Sequence, residues 1–336
     1  MKTKTTGGGP TRRDMLATIV ASMTAGAPFA ARAQQGTYPN RPIRIIVPWA
    51  AGGGGDVLVR AITPSLAQRL GQAVIVDNRP GAIGTIGSQI AAHSLPDGYT
   101  LVYGTADSHS IAPHILKTRP YDSKKDFVAI APIGFTPLTL IVHASSPAKT
   151  FEQFLRIARN AKQPPTFGSW GQGSSGHITM EALKQATHVN LLHIPYNGTA
   201  PLITAQLAGQ VDCAIVPVLV AEQYVQAGTV RMLAVTARER LPSQPNVPIM
   251  KELGVDIDMG PWLGFLGPAG LPPDIVQKLS TAITASIAEP QVADAMKKMS
   301  MVMDTMSSPA AYQRFCDSEY DRWGKYIRAG KVTLDP

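Results

Sequence analysis

The chain has 336 residues, a formal net charge of +8, 44% hydrophobic residues and two cysteines. Such a length and apolar content suit one large or two modest domains with real cores, and the scattered basic excess lacks the Lys/Arg runs of a nucleic-acid binder. Cys213 and Cys316 come without clustered histidines, so no metal-site spacing is present; in an oxidising compartment they could pair, but both read as buried free thiols.

The first segment carries Lys2, Lys4, Arg12 and Arg13, then a mildly apolar run from Met15 to Ala31, and closes on Ala31-Arg32-Ala33. A charged start, an apolar middle and a small-x-small site predict a secretory signal peptide over residues 1–33. Thr11-Arg12-Arg13-Asp14-Met15-Leu16 fits a twin-arginine signal, which implies an exported, soluble, periplasmic protein. A membrane anchor is disfavoured, because the run is interrupted by Thr, Ser, Gly and Pro where a span needs about 20 predominantly apolar residues. Removing five bases and one acid with this segment lowers the charge from +8 to +4, a modest excess compatible with an anionic ligand.

Beyond it, short apolar runs alternate with helical patterns. Ile43–Val47 reads as a strand, Val57–Leu70 as a helix, Ala73–Val76 as a strand, Gly84–His93 as a helix and Thr100–Tyr103 as a strand. Leu138–Val142 is strand-like and Phe151–Lys162 helical; the same rhythm recurs through Thr166-Phe167, His177–Thr187, Leu191–Ile194, Pro201–Ala208 and Cys213–Val216. This alternation predicts α/β architecture with parallel sheets. The last third reads as three helices, Pro273–Ile287, Gln291–Lys298 and Pro309–Ala329.

Three segments share one design: an apolar strand, a Gly/Ser-rich turn and a helix start. The first runs from Pro48 and Trp49 through Gly52 and Gly53 to Asp56. The second holds Ser169, Trp170, Ser174, Ser175, Gly176 and His177. The third is Tyr196-Asn197-Gly198-Thr199-Ala200. Open α/β folds bind ligands at such turns, where unpartnered N–H groups and the positive end of the helix dipole favour anions. A carboxylate could be held there with no arginine or lysine. Each turn is also compatible with a purely structural part, with Asp56 and Asn197 acting as helix caps. Rival motifs fail. No Gly-Lys-Ser/Thr follows Gly52–Gly55, so no P-loop is present. The Gly81–Gly87 segment is not a dinucleotide fingerprint. Ser175 lacks a Gly-x-Ser-x-Gly elbow, and His177 reads as a helix-start residue, not a general base.

Together these residues resemble the periplasmic solute receptors of tripartite tricarboxylate transporters, the Bug family, over nearly all of residues 38–331. The likeness is carried by Tyr38-Pro39-Asn40-Arg41-Pro42, the Gly52-Gly53…Asp56 turn, Val76-Asp77-Asn78-Arg79-Pro80-Gly81, Pro96-Asp97-Gly98-Tyr99, Gly173-Ser174, His177, Tyr196-Asn197-Gly198, Gly209-Gln210-Val211-Asp212 and Pro268–Pro272. The resemblance implies a type II periplasmic-binding-protein fold: two α/β lobes, residues 36–140 plus 260–336 and 141–259, joined by two crossover segments near Leu138–His143 and Trp262–Pro268, with the ligand cleft between them. It implies a non-enzymatic receptor, without cofactor or metal, that closes on a small carboxylate as a monomer and hands it to membrane permease subunits. It further implies ligand loops at Pro48–Gly53, Gly104–Ser108, Ser169–His177 and Tyr196–Ala200. Direct contacts are expected from Thr105, Ser108, Ser174, Ser175 and Thr199, apolar walls from Trp49 and Tyr196, and a closing wall from Asp212.

Two residues depart from the family pattern. Trp170 stands where a small residue is usual; it could stack on an aromatic ring, favouring a phthalate-type dicarboxylate, or pack on its own lobe. Asp107 puts an acid in the second ligand loop, where it could discourage a second carboxylate, accept a bond from an amine or hydroxyl, or face solvent. A receptor signalling to a membrane sensor kinase is the alternative function. A hydrolase is disfavoured by the missing nucleophile elbow, metal cluster and paired carboxylates.

Overall fold

Ile43–Val47 buries four of its five side chains and forms the first strand, β1. The computed structural model describes residues 1–3, 38–257, 260–303, 306, 308–330 and 332; the signal-peptide reading falls outside these. After β1 the chain turns through Gly52, in the left-handed region at φ 77, into helix α1, Gly54–Leu70. Pro64 inside α1 cannot bond back to Arg60, and the Thr63 hydroxyl donates to that carbonyl at 3.2 Å instead. Gly71, left-handed at φ 68, ends the helix. Strand β2 (Val74–Asn78), helix α2 (Thr85–Ala92) and strand β3 (Thr100–Thr105) follow. A π-helical turn, Asp107–Ile111, then runs into the single turn Ala112–Ile115.

Strand β4, Phe127–Phe135, leads across Thr136-Pro137 directly into β5, Leu138–His143. Helix α3 (Phe151–Asn160) is capped by Thr150, whose hydroxyl accepts the Gln153 N–H, and buries Phe151, Phe154, Leu155 and Ala158. The chain continues through β6 (Thr166–Ser169), α4 (Ser175–Thr187), β7 (Leu192–Pro195), α5 (Thr199–Leu207), β8 (Cys213–Pro217), α6 (Val218–Gln226) and β9 (Val230–Val235). It returns as β10 (Trp262–Pro268) and finishes with α7 (Pro273–Ile287), α8 (Pro290–Lys298), the short β11 (Val302–Met303) and α9 (Pro309–Gly330).

These strands make two sheets within the compact unit 39–336. The six-stranded sheet runs β11-β4-β10-β3-β1-β2, and the five-stranded sheet β7-β6-β8-β5-β9. The expected parallel pairs are present, β1 with β2 and β3, and β6 with β7 and β8, while β4, β5, β9, β10 and β11 add antiparallel neighbours. The chain therefore changes sheet at Thr136-Pro137, not within Leu138–His143, because β5 pairs with β8 and β9 along its length. Likewise Trp262–Pro268 lies inside the first sheet, between β3 and β4. The two crossings lie against each other: the Thr136 N–H donates to the Pro261 carbonyl at 3.1 Å, and a Cβ on Gly260 would sit 1.7 Å from the Thr136 carbonyl oxygen.

Each face of the five-stranded sheet has its own apolar core. A further cluster joins β3, β4 and β10 to Tyr312, Trp323 and Ile327 of α9, and it also contains Ile178 of α4. Cys213 is buried, Cys316 is partly buried, and both are free thiols. Among the described residues no helix is long and apolar enough to cross a membrane.

Candidate ligand-binding site

The α1 opening is held by one carboxylate. Asp56 accepts the Gly52 N–H at 2.9 Å, the Arg60 Nε–H at 2.9 Å and the Asn78 Nδ2–H at 3.0 Å. Asn78 also donates to the Trp49 carbonyl at 3.1 Å, which ties the end of β2 to the turn. The Arg60 side chain, with further help from Gly52 and Asn78, lowers the Asp56 pKa to about 2 against the opposing effect of burial. Asp56 is thus an ionised brace that leaves the next N–H groups of α1, at Gly54 and Gly55, facing outward from the turn by helix geometry. A Cβ on Gly55 would stand 2.8 Å from the Tyr103 ring and 3.4 Å from Trp49, so glycine lets the backbone meet these two aromatics.

The α4 opening is built differently. Ser174 caps the helix: its hydroxyl accepts the His177 N–H at 3.3 Å and donates to the Gly171 carbonyl at 2.7 Å. The His177 ring folds back, with Nδ1 accepting the Gly173 N–H at 3.0 Å. It also stacks on His193 with centroids 3.8 Å apart. Burial, then the neighbouring His193 and Lys184, pull the His177 pKa down to about 3, and burial pulls His193 to about 4, so both rings are neutral. His193 Nε2 in turn meets the Ser169 hydroxyl at 2.7 Å.

Across the cleft, Asp107 reaches this opening from the other sheet. Its Oδ1 accepts the Ser175 N–H at 2.8 Å. Asp107 is only 7% exposed, and burial raises its pKa while its polar neighbours, the bonded Ser175 N–H among them, oppose the rise. Trp170 lies over Gly176, where a Cβ would come within 2.4 Å of the indole ring. Of the two parts open to Trp170 from sequence, the ring is packed on its own lobe.

The other expected residues fall into place unevenly. Pro48 is buried and Trp49 half-buried beside the α1 opening. Thr105 and Ser108 are buried and largely satisfy each other: the Thr105 N–H donates to Ser108 Oγ and the Ser108 N–H to Thr105 Oγ1, both at 3.3 Å. The third turn is seated on the second, with the Tyr196 N–H donating to the Ser169 carbonyl at 3.0 Å and the Gly198 N–H to the Trp170 carbonyl at 3.2 Å. Tyr196 and Thr199 are half-buried there and Ala200 is exposed. Asp212 stands apart. Its carboxylate accepts the Thr166 N–H and hydroxyl at 2.7 and 2.8 Å, pinning the amino ends of β6 and β8, whereas the turns leave the carboxyl ends.

Comparison with known proteins agrees with this geometry. The profile of the tripartite tricarboxylate transporter family receptor matches residues 58–332. The chain belongs to this receptor family. A UPF0065 protein encoded in the tcbD-tcbE intergenic region of Pseudomonas sp. strain P51 is 34% identical over 321 residues, covering 94% of each chain. Among solved structures, R. palustris Rpa4515 with adipate is 29% identical with a TM-score of 0.80, covering 88% of this chain and 99% of that one. MatC of Rhodopseudomonas palustris with bound malate is 28% identical with a TM-score of 0.75, covering 86% and 100%. The receptor therefore has the two-lobed type II periplasmic-binding fold, and its family is one of solute receptors, not enzymes.

One contributor to the receptor's cleft was not legible as such. The Gly81–Gly87 segment, which sequence reasoning excludes only as a dinucleotide motif, is folded against the first turn and the Thr105–Ser108 turn. A Cβ on Gly84 would lie 3.2 Å from Ser108 and 3.4 Å from Pro48 and Trp49, and one on Gly87 would meet Pro48 at 2.8 Å. The strained pair Ala82 and Ile83, with φ of 47 and 57, makes the tight entry to α2. Three glycines in seven residues after β2 were the available signal. Tyr103, buried between Gly55 and Asp107, is a second such residue; burial, then the Asp107 charge, raises its pKa.

Proposed function

We propose that the receptor works in the periplasm, captures a small carboxylate between its two lobes, and delivers it to the membrane subunits of a tripartite tricarboxylate transporter. The observation that carries this reading is the way a carboxylate is already held at the α4 opening: by the backbone N–H of Ser175, in a buried setting. A ligand carboxylate at α1 would use the same chemistry. The adipate and malate bound to the two similar structures support the same class. In this reading the ligand lies among Pro48–Gly53, the Thr105–Ser108 turn, Trp170–His177 and Tyr196–Ala200. Backbone N–H groups do most of the holding, because the Ser174, Thr105 and Ser108 hydroxyls are engaged in their own turns. An aromatic diacid stacked on Trp170 is the finer form of this reading; the seating of that ring on Gly176 supports it less than it supports an aliphatic acid.

Closure follows from two states. The halves move about the adjacent crossings at Thr136-Pro137 and Gly260-Pro261, and a ligand that bridges them favours the closed form by its extra contacts. The test is a thermal-shift and calorimetric screen of the mature protein, residues 34–336, freed of co-purified ligand, against mono-, di- and tricarboxylates. A rise in melting temperature with a carboxylate, absent with the matching amide, supports the reading. No shift with any acid overturns it. Cell fractionation with N-terminal sequencing of the exported protein tests the compartment and the cleavage after Ala33.

A further inference from the structure

We infer that Asp107 is the receptor's own carboxylate in the anion seat at the amino end of α4, and that it makes the receptor select acids with one carboxylate over diacids. The inference rests on the carboxylate reading above and deepens it by naming the ligand's charge class. Its basis is a filled seat. Ser175 is the first residue of α4, and its N–H points at Asp107 Oδ1, 2.8 Å away, from a residue of the opposite lobe. The neighbouring first-turn donor, the His177 N–H, is taken by the Ser174 hydroxyl. Gly176 sits under the Trp170 ring. The first backbone donor that would meet the distal carboxylate of a ligand spanning the cleft is thus engaged with a side chain that carries the same group.

A second carboxylate arriving there must displace Asp107 from the Ser175 N–H and brings a second acid into a buried setting. Tyr103 lies against the α1 opening, its ring edge beside Gly55, and Asp107 is near enough to act on its hydroxyl. What remains is one carboxylate seat, at α1, and a distal wall made of Tyr103, Trp170 and Asp107. That wall suits an apolar or hydrogen-bond-donating tail and disfavours an anionic one.

The experiment is calorimetry at neutral pH on the mature wild-type receptor, Asp107→Ala and Asp107→Asn, each with paired acids of equal length: hexanoate with adipate, butyrate with succinate, and 2-methylbenzoate with phthalate. Wild type is expected to bind at least one monoacid ten-fold or more tighter than its paired diacid. Asp107→Ala is expected to move the diacid-to-monoacid affinity ratio toward the diacid by ten-fold or more. Asp107→Asn keeps the shape and the acceptor for Ser175, guards against a folding defect in the alanine variant, and is expected to move in the same direction. A wild type that binds a diacid as tightly as its partner, with the ratio unchanged in both variants, overturns the inference and leaves the carboxylate reading standing. Binding of none of the acids by any of the three proteins overturns both.

Discussion

Asp56 and the His177–His193 pair set how the receptor responds to acid, and they do so in separate pH windows. The Asp56 pKa is lowered from 3.8 to about 2, chiefly by Arg60. Because the folded value lies below the unfolded one, its stabilisation is complete above roughly pH 4 and is lost as pH falls toward 2. Its partner is half exposed, so the contribution is about 1–2 kcal/mol after screening. Asp56→Ala should cost that much or somewhat more in denaturant unfolding at neutral pH, since the Gly52 and Asn78 donors also lose their acceptor. A loss below about 0.5 kcal/mol would show the brace to be idle. The histidines act higher. Both are depressed from 6.5, to about 3 and about 4, mainly by burial. The unfolded chain takes up their protons first, so stability is complete above about pH 6.5 and falls as pH drops toward 4. His177→Phe should lower the melting temperature at every pH, because the Gly173 N–H loses its acceptor, yet flatten the decline between pH 6.5 and 4. A decline as steep as in wild type would remove His177 from that window.

The elements separate what periodicity can reveal from what it cannot. The helices of the last third, expected over Pro273–Ile287, Gln291–Lys298 and Pro309–Ala329, match α7, α8 and α9 to within a residue at each end, since proline at the start and apolar spacing at three to four residues mark such helices locally. The strand-turn-helix openings were equally legible, because glycine and serine between an apolar run and a helix leave a local signature. Strand β4 was not, as Pro132 and Gly134 interrupt its apolar run and read as loop. Neither was the insertion of β10 between β3 and β4, which is a long-range pairing with no local mark. The inter-lobe bond of Asp107 was legible only as an unusual acid in a ligand loop. Gly260 was invisible for the same reason as β10: its importance comes from Thr136, far away in sequence. The conflict there is backbone against backbone, with 1.7 Å from a Cβ to the Thr136 oxygen, so neither crossing can yield by a rotamer change. Gly260→Ala should destabilise the receptor by about 1–3 kcal/mol and weaken ligand binding by altering how the lobes meet. Wild-type stability and affinity in this variant would mean that the crossings can slide apart freely.

At the scale of the whole molecule, the two lobes are coupled by more than the crossings. Ile178 belongs to α4, on the five-stranded side, yet it is fully buried in the cluster of Trp262, Tyr312, Trp323 and Ile327. Helix α9 thus packs one end of the six-stranded lobe onto α4, the same helix whose opening accepts Asp107. A cleft that opened by wide separation would have to uncover this apolar contact, at about 25 cal/mol for each Å² exposed. On the proposed two-state reading, opening is then expected to be a restricted rotation that keeps the α9–α4 contact while the turns at the cleft edge separate. Coupling of this kind also makes the lobes unfold together. Ile178→Ala removes side-chain atoms from a site with no solvent access, so it should cost about 2–4 kcal/mol. It should also loosen cooperativity, so that in scanning calorimetry the ratio of calorimetric to van't Hoff enthalpy rises above one as the lobes begin to melt apart. A single transition with an unchanged ratio would place the coupling in the crossings and Asp107 alone, and would permit a far wider opening than the α9–α4 contact allows.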